Sequence, residues 1–120
     1  MTDHVALVER YLAGWNETDP SRRRAILADT WADGASYVDP VMNAEGVSGI
    51  DALIAAAQQR FPGFRFRRIG EVESHNGRLR FRWGLGPDGA DAPIKGTDFA
   101  VLADGRMASV TGFFDQLPAQ

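Results

Sequence analysis

The chain contains no cysteine. Disulfides, thiolate nucleophiles and cysteine-ligated metal centres are excluded, and the composition fits a reducing, cytoplasmic setting. Histidine is scarce, with only His4 and His75, far apart in the sequence. A histidine metal site or a nucleophile–histidine triad therefore has little support, and no metal or other cofactor is expected. No apolar run approaches the roughly 20 residues of a membrane span. The opening Met-Thr-Asp-His lacks the basic and then apolar order of a secretory signal. Charge of one sign is not in excess either. The formal net charge is -3, which disfavours a surface that tracks phosphates or anionic lipid, so neither nucleic acid nor membrane is an expected partner.

What remains is ordinary for a folded protein: 120 residues, 44% hydrophobic and 24% charged. That suffices for one domain, residues 1–120, with one core. Residues 3–16 read as a helix, with Asp3 as its cap and Val5, Val8, Leu12 and Trp15 recurring at three and four. Tyr11 falls on or beside that stripe. Asp19-Pro20 has the cap-then-proline order that starts a helix. This second helix runs to about Trp31, and its Arg22-Arg23-Arg24 reads as a solvated face. A short strand over residues 35–39 stops at Asp39-Pro40, and "NAEGVSG" follows as a loop. Ser48 with Asp51 resembles a capping box opening a third helix, Ile50 to about Arg60, which Pro62-Gly63 ends.

The period then changes to two. Residues 64–74, 78–86, 94–103 and 106–115 read as strands, joined by turn residues such as His75-Asn76-Gly77, Pro87-Asp88-Gly89 and Asp104-Gly105. Three helices followed by hairpin-linked strands indicate an α+β fold, helices on one face of a curved, mostly antiparallel sheet. Leu79, Phe81, Trp83 and Leu85 share one face of their strand, opposite Arg78, Arg80 and Arg82. These arginines, with Arg65 and Arg67, share a face with Glu71 and Glu73 and are expected to pair with some of them. Asp98 is an anomaly. It sits with Ile94, Gly96, Ala100 and Leu102 on a face that is otherwise apolar, although the opposite face is largely apolar too. Either the other face is the core and Asp98 points to water or pairs with an arginine, or it is a carboxylate inside the fold, where its charged form is penalised. The small residues Gly96, Ala100 and Gly112 leave room for a pocket beside the sheet.

The order helix, helix, strand ending in Asp-Pro, helix, four-stranded curved sheet resembles the nuclear transport factor 2-like superfamily over nearly the whole chain. "YVDP", "GTDF" and "VTGFFD" are similar to the SnoaL-like group within it, and Arg10-Tyr11, Asp39-Pro40 and Asp98 in "TDFAVLADGR" resemble the motifs of ketosteroid isomerases. The resemblance implies a cone-shaped fold with a pocket between sheet and helices, and a homodimer formed through the sheet. It implies proton abstraction next to a carbonyl of a small apolar molecule, as in isomerases and polyketide cyclases. Asp39 would be the base, and Tyr11 with a protonated Asp98 the oxyanion hole. Trp15, Met42, Phe81, Trp83, Val110 and Phe114 would line the substrate site.

Taken singly, these residues have plainer readings. Tyr11 reads as a core aromatic with a satisfied hydroxyl, and Asp39 as a turn residue. A pocket kept without catalysis, in a ligand-binding or dimerisation module, is the non-enzymatic alternative. Epoxide hydrolysis would need an arginine beside paired acids, and the sequence places none on the pocket face.

Overall fold

The computed structural model describes residues 3–118. The elements are α1 (His4–Asn16), α2 (Pro20–Thr30), β1 (Trp31–Val38), β2 (Asn43–Glu45), α3 (Gly46–Arg60), β3 (Arg65–His75), β4 (Arg78–Gly86), β5 (Ile94–Ala103) and β6 (Arg106–Gln116). The six strands form one curved, unclosed sheet in the order β2-β1-β6-β5-β4-β3. Pairing is antiparallel except between β1 and β6. Among the described residues no helix is long and apolar enough to cross a membrane.

Local chemistry accounts for the helix starts. The Asp3 carboxylate accepts from Ala6 N at 3.0 Å, and Asp19 accepts from Arg22 N at 2.9 Å with Pro20 in the first turn. Each satisfies an amide that would otherwise lack a partner. The buried stripe of α1 is Leu7, Val8, Tyr11, Leu12 and Trp15. Val5, expected on that stripe, is 45% exposed, and Leu7 takes its place. The expected capping box at Ser48 does not form. The helix begins earlier, after Glu45, without a side-chain cap. The segment expected as a loop before it supplies the short strand β2, which pairs with the end of β1.

Asp51 has a different task from capping. Arg23, expected on a solvated face, is only 4% exposed. Its Nε donates to Asp51 Oδ1 at 2.6 Å, and its Nη1 donates to Glu17 O and Gln58 Oε1. Gln58 Nε2 donates in turn to the carbonyls of Trp15 and Glu17. A guanidinium can be buried between helices only when its charge and donors are matched in this way. The cluster ties the C-terminal end of α1 to α2 and α3.

Cross-strand register defines the concave face. Leu79 lies beside Ala100 and Ala100 beside Val110. Phe81, Asp98 and Gly112 form a second row, and Trp83, Gly96 and Phe114 a third. This is the face covered by the helices, so the ambiguity of β5 resolves with Asp98 inside. The opposite face carries Thr97, Phe99 and Val101, together with Arg78, Arg80 and Arg82 of β4. Glu73 pairs there with Arg80 at 3.0 Å. Glu71 forms no ion pair among the described residues, because β3 bulges between Ile69 and Glu73 and the alternation is lost there.

Arg23→Ala is expected to lower the unfolding free energy by about 3 kcal/mol, since it strands a partly buried carboxylate. Arg24→Ala on the exposed side should change it by less than about 0.5 kcal/mol. Urea denaturation of the two variants measures the contrast, and equal losses would refute the buried role of Arg23.

Candidate active site

A cavity of about 710 Å³ lies between the concave face and the helices α1 and α3. Tyr11, Leu12 and Trp15 enter it from α1. Ala57, Arg60 and Phe61 enter from the end of α3 and the residue after it. Phe66, Trp83, Leu85, Ile94, Asp98 and Phe114 come from the sheet, with Tyr37 from β1 and Asp39 to Met42 from the turn beyond it. Most of this lining is apolar, and the two acids converge at one end with Tyr11 and Tyr37.

Asp98 is 3% exposed in the middle of β5. Tyr11 Oη donates to its Oδ2 at 2.7 Å and Trp83 Nε1 donates to its Oδ1 at 2.9 Å. Burial pushes the Asp98 pKa up from 3.8 to about 6; the two hydrogen bonds oppose that rise, and the nearby Asp39 carboxylate adds to it. Burial, reinforced by Asp98, holds the Tyr11 phenol well above its ordinary value, so it stays a donor.

Asp39 is organised by its own turn. Its Oδ1 accepts from Val41 N and Met42 N, each at 2.9 Å, and its backbone N donates to Met42 O. Its Oδ2 accepts from Tyr37 Oη at 2.7 Å. The Tyr37 phenol is raised far above its ordinary range by burial first, and then by Asp98 and Asp39. Asp39 is thus a turn residue and also a fixed, half-buried carboxylate facing the cavity.

Two glycines make this arrangement possible. A Cβ on Gly112 would lie 2.9 Å from Asp98 Oδ1, 3.2 Å from Asp39 Cβ and 3.3 Å from Tyr37 Oη. Both acids and Tyr37 therefore crowd onto one bare patch of backbone. A Cβ on Gly96 would lie 2.3 Å from Trp83 Cζ2, so the indole rests on that glycine as its N–H reaches Asp98. The small residues read as empty room are seats for particular side chains.

The structure brings Tyr11, Asp39 and Asp98 to one end of the cavity. Trp15, Met42, Trp83 and Phe114 line it as expected. Phe81 and Val110 do not. Both are fully buried below the surface of the cavity, and the Phe81 ring packs edge-on against Tyr11 with centroids 5.5 Å apart. They share the concave face, but Tyr11 of α1 lies over Phe81, and Val110 is packed in the row between Tyr37 and Ala100. Tyr37 was missed, although the strand period places it on the same face as Asp39, two residues later. Arg60 was also missed. It is an exposed arginine on the lining, at the rim and not paired with either acid.

The raised pKa has a consequence for stability. The folded state keeps the Asp98 proton up to about pH 6, whereas an unfolded chain releases it near its ordinary 3.8. Between those values the folded state binds more protons, so this group's contribution to stability falls as pH rises, by about 3 kcal/mol in all. Asn in its place accepts from Trp83 and donates to Tyr11 without a charge. Asp98→Asn is therefore expected to be more stable than wild type by about 2 kcal/mol near pH 8, with the gain vanishing below about pH 4. Thermal unfolding across that range tests this, and a variant destabilised at about pH 8 would contradict it.

The SnoaL-like domain profile matches residues 8–110. A crystal structure of an Agrobacterium tumefaciens protein, provisionally assigned as an isomerase of the SnoaL-like family, superimposes with a TM-score of 0.88 at 46% identity. The match covers 96% of this chain and 99% of that one. A provisionally assigned SnoaL-like polyketide cyclase from Jannaschia superimposes with a TM-score of 0.74 at 20% identity, over 92% of this chain and 84% of that one. A provisionally assigned ketosteroid isomerase from Kribbella flavida gives 0.69 at 18%, over 96% and 79%. These last two share the fold. No match was found among the curated proteins. With the profile spanning most of the sequence and a relative 46% identical over nearly its full length, the chain belongs to the SnoaL-like family.

Proposed function

We propose that this protein is an isomerase-like or cyclase-like enzyme that removes a proton next to the carbonyl of a small, mostly apolar compound. The observation that carries the reading is the buried Tyr11–Asp98–Trp83 hydrogen-bond set, flanked across Gly112 by a second, more accessible carboxylate. Asp39 is the base. A carboxylate offers about four acceptor positions. Three are taken by Val41 N, Met42 N and Tyr37, leaving one on Oδ2 for the substrate proton.

As that proton leaves, the C–H electron pair moves into the carbonyl and negative charge develops on oxygen. Tyr11 donates to it. Asp98 joins as a donor once protonated, either to the substrate or to Tyr11 Oη, which turns the tyrosine hydrogen toward the substrate. A ligand that seals the cavity strengthens the desolvation that already raises the Asp98 pKa, and donors fixed before the reaction begins need no reorganisation. Return of the proton to another carbon completes an isomerisation. Attack of the enolate carbon on a second carbonyl, with the proton held by Asp39 passed to the new alkoxide, completes an aldol cyclisation. The provisional assignments of the Agrobacterium and Jannaschia proteins support these two outcomes. The absence of cysteine supports a cytoplasmic setting.

The protein is further expected to pair through the outer face of the sheet. Phe99 and Phe113 are 41% and 55% exposed there, beside Thr97 and Thr111. An exposed apolar patch of this kind is suited to a second copy. Sedimentation equilibrium should give a dimer for wild type and a monomer for the double variant Phe99→Glu, Phe113→Glu. A monomeric wild type would refute the pairing.

The catalytic reading predicts turnover of some member of a panel of β,γ-unsaturated ketones. The rate should fall about 1,000-fold in Asp39→Asn and about 100-fold in Tyr11→Phe. Phenolates, which mimic the enolate oxygen, should bind wild type and lose affinity in Tyr11→Phe. Phenolate binding without turnover of any member would instead favour a ligand-binding module.

A further inference from the structure

The cavity is chemically lopsided. Its inner end holds Asp98 with Tyr11 and Tyr37, and Asp39 half-buried beside them. Its mouth is edged by the exposed residues Val41, Arg60 and Leu117. Among the described residues Arg60 is the one basic residue on the lining. Among the described residues its guanidinium lies within ion-pair distance of no carboxylate; the arginines that do form ion pairs are Arg23, Arg65, Arg68 and Arg80. Its guanidinium carbon lies over the Phe61 ring, 5.8 Å from the centroid, and Phe61 itself lines the cavity.

The position of Arg60 is supported from behind. It ends α3, the helix anchored through Asp51 and Gln58 to Arg23. The fork of a guanidinium resting on an aromatic ring remains free to hold an oxyacid group by two parallel hydrogen bonds. The acids at the inner end repel an anion, so an anionic group enters last and faces the mouth. A single guanidinium with no second cation on the lining balances one negative charge, which fits a carboxylate better than a phosphate monoester.

We propose that the substrate is an amphipathic keto acid. Its carbonyl lies at Tyr11 and Asp98, its apolar body runs along Trp15, Phe66 and Phe114, and its carboxylate meets Arg60 at the mouth. This rests on the carbonyl-site reading and adds the substrate class and Arg60 as the residue that selects it.

The test compares matched phenol probes by calorimetry at low salt: 4-alkylphenols, 4-(carboxyalkyl)phenols of equal length, and a phosphate-tailed analogue. Wild type is expected to bind the carboxylate series about 5-fold more tightly than the neutral series. Arg60→Gln should abolish that difference, and Arg60→Glu should reverse it. Equal affinity of the two series for wild type, or a preference that survives in Arg60→Gln, overturns the proposal. Tighter binding of the phosphate tail overturns the carboxylate assignment. The carbonyl-site reading is scored separately by Tyr11→Phe. If neutral phenol affinity is unaltered in that variant, the reading falls, while the Arg60 contrast still stands or fails on its own comparison. If no phenol binds wild type, both are overturned.

Discussion

A carboxylate in the middle of a sheet, facing the core, must be given donors or a proton. Asp98 receives two donors, and much of the molecule is arranged to supply them. Tyr11 reaches it from α1, and Trp83 reaches it from the neighbouring strand. The first bond fixes the face that α1 presents to the sheet. The second requires an indole lying across β5, which is possible only because residue 96 is glycine. Even so, two good hydrogen bonds do not offset the desolvation, and the group stays poised between charge states near pH 6. That is a cost in stability at neutral pH and an opportunity for proton chemistry.

The second acid is held by a different logic. Asp39 takes its bonds from the turn it initiates and from Tyr37, which precedes it on the same face. One carboxylate is therefore governed by burial and the other by local hydrogen bonding, although both abut Gly112. Two identical side chains on one patch of backbone thus stand in different environments.

An open cavity in so small a domain removes packing that the core would otherwise gain. The surrounding scaffold answers with fixed supports. The Arg23, Asp51 and Gln58 cluster holds α3 to the ends of α1 and α2, so the helical wall does not depend on filling the space beneath it. Aromatic contacts continue around the cavity, with Trp15 against Tyr37 and Phe66, and Phe66 against Trp83. Much of the lining is thus made of large rings braced on one another.

Sequence alone determined the three helices, the four later strands, the turns between those strands, two helix caps and the oddity of an aspartate in an apolar strand row. These depend on neighbours within a few positions, and periodicity reports them faithfully. It also placed Tyr11, Asp39 and Asp98 as candidates through a family resemblance. Tertiary structure decided the remainder. Which face of β5 is interior depends on where the helices pack, since both faces are apolar. Arg23 became a buried strut because α3 supplies Asp51 and Gln58 from about 30 residues away. Phe81 is kept from the cavity by the Tyr11 ring that α1 lays against it, and Val110 is fully buried between its strand neighbours. The bond between Tyr11 and Asp98 spans 87 positions of the chain, and no local pattern encodes such a contact. It exists because a helix and a sheet, each legible separately, meet at a single angle and register.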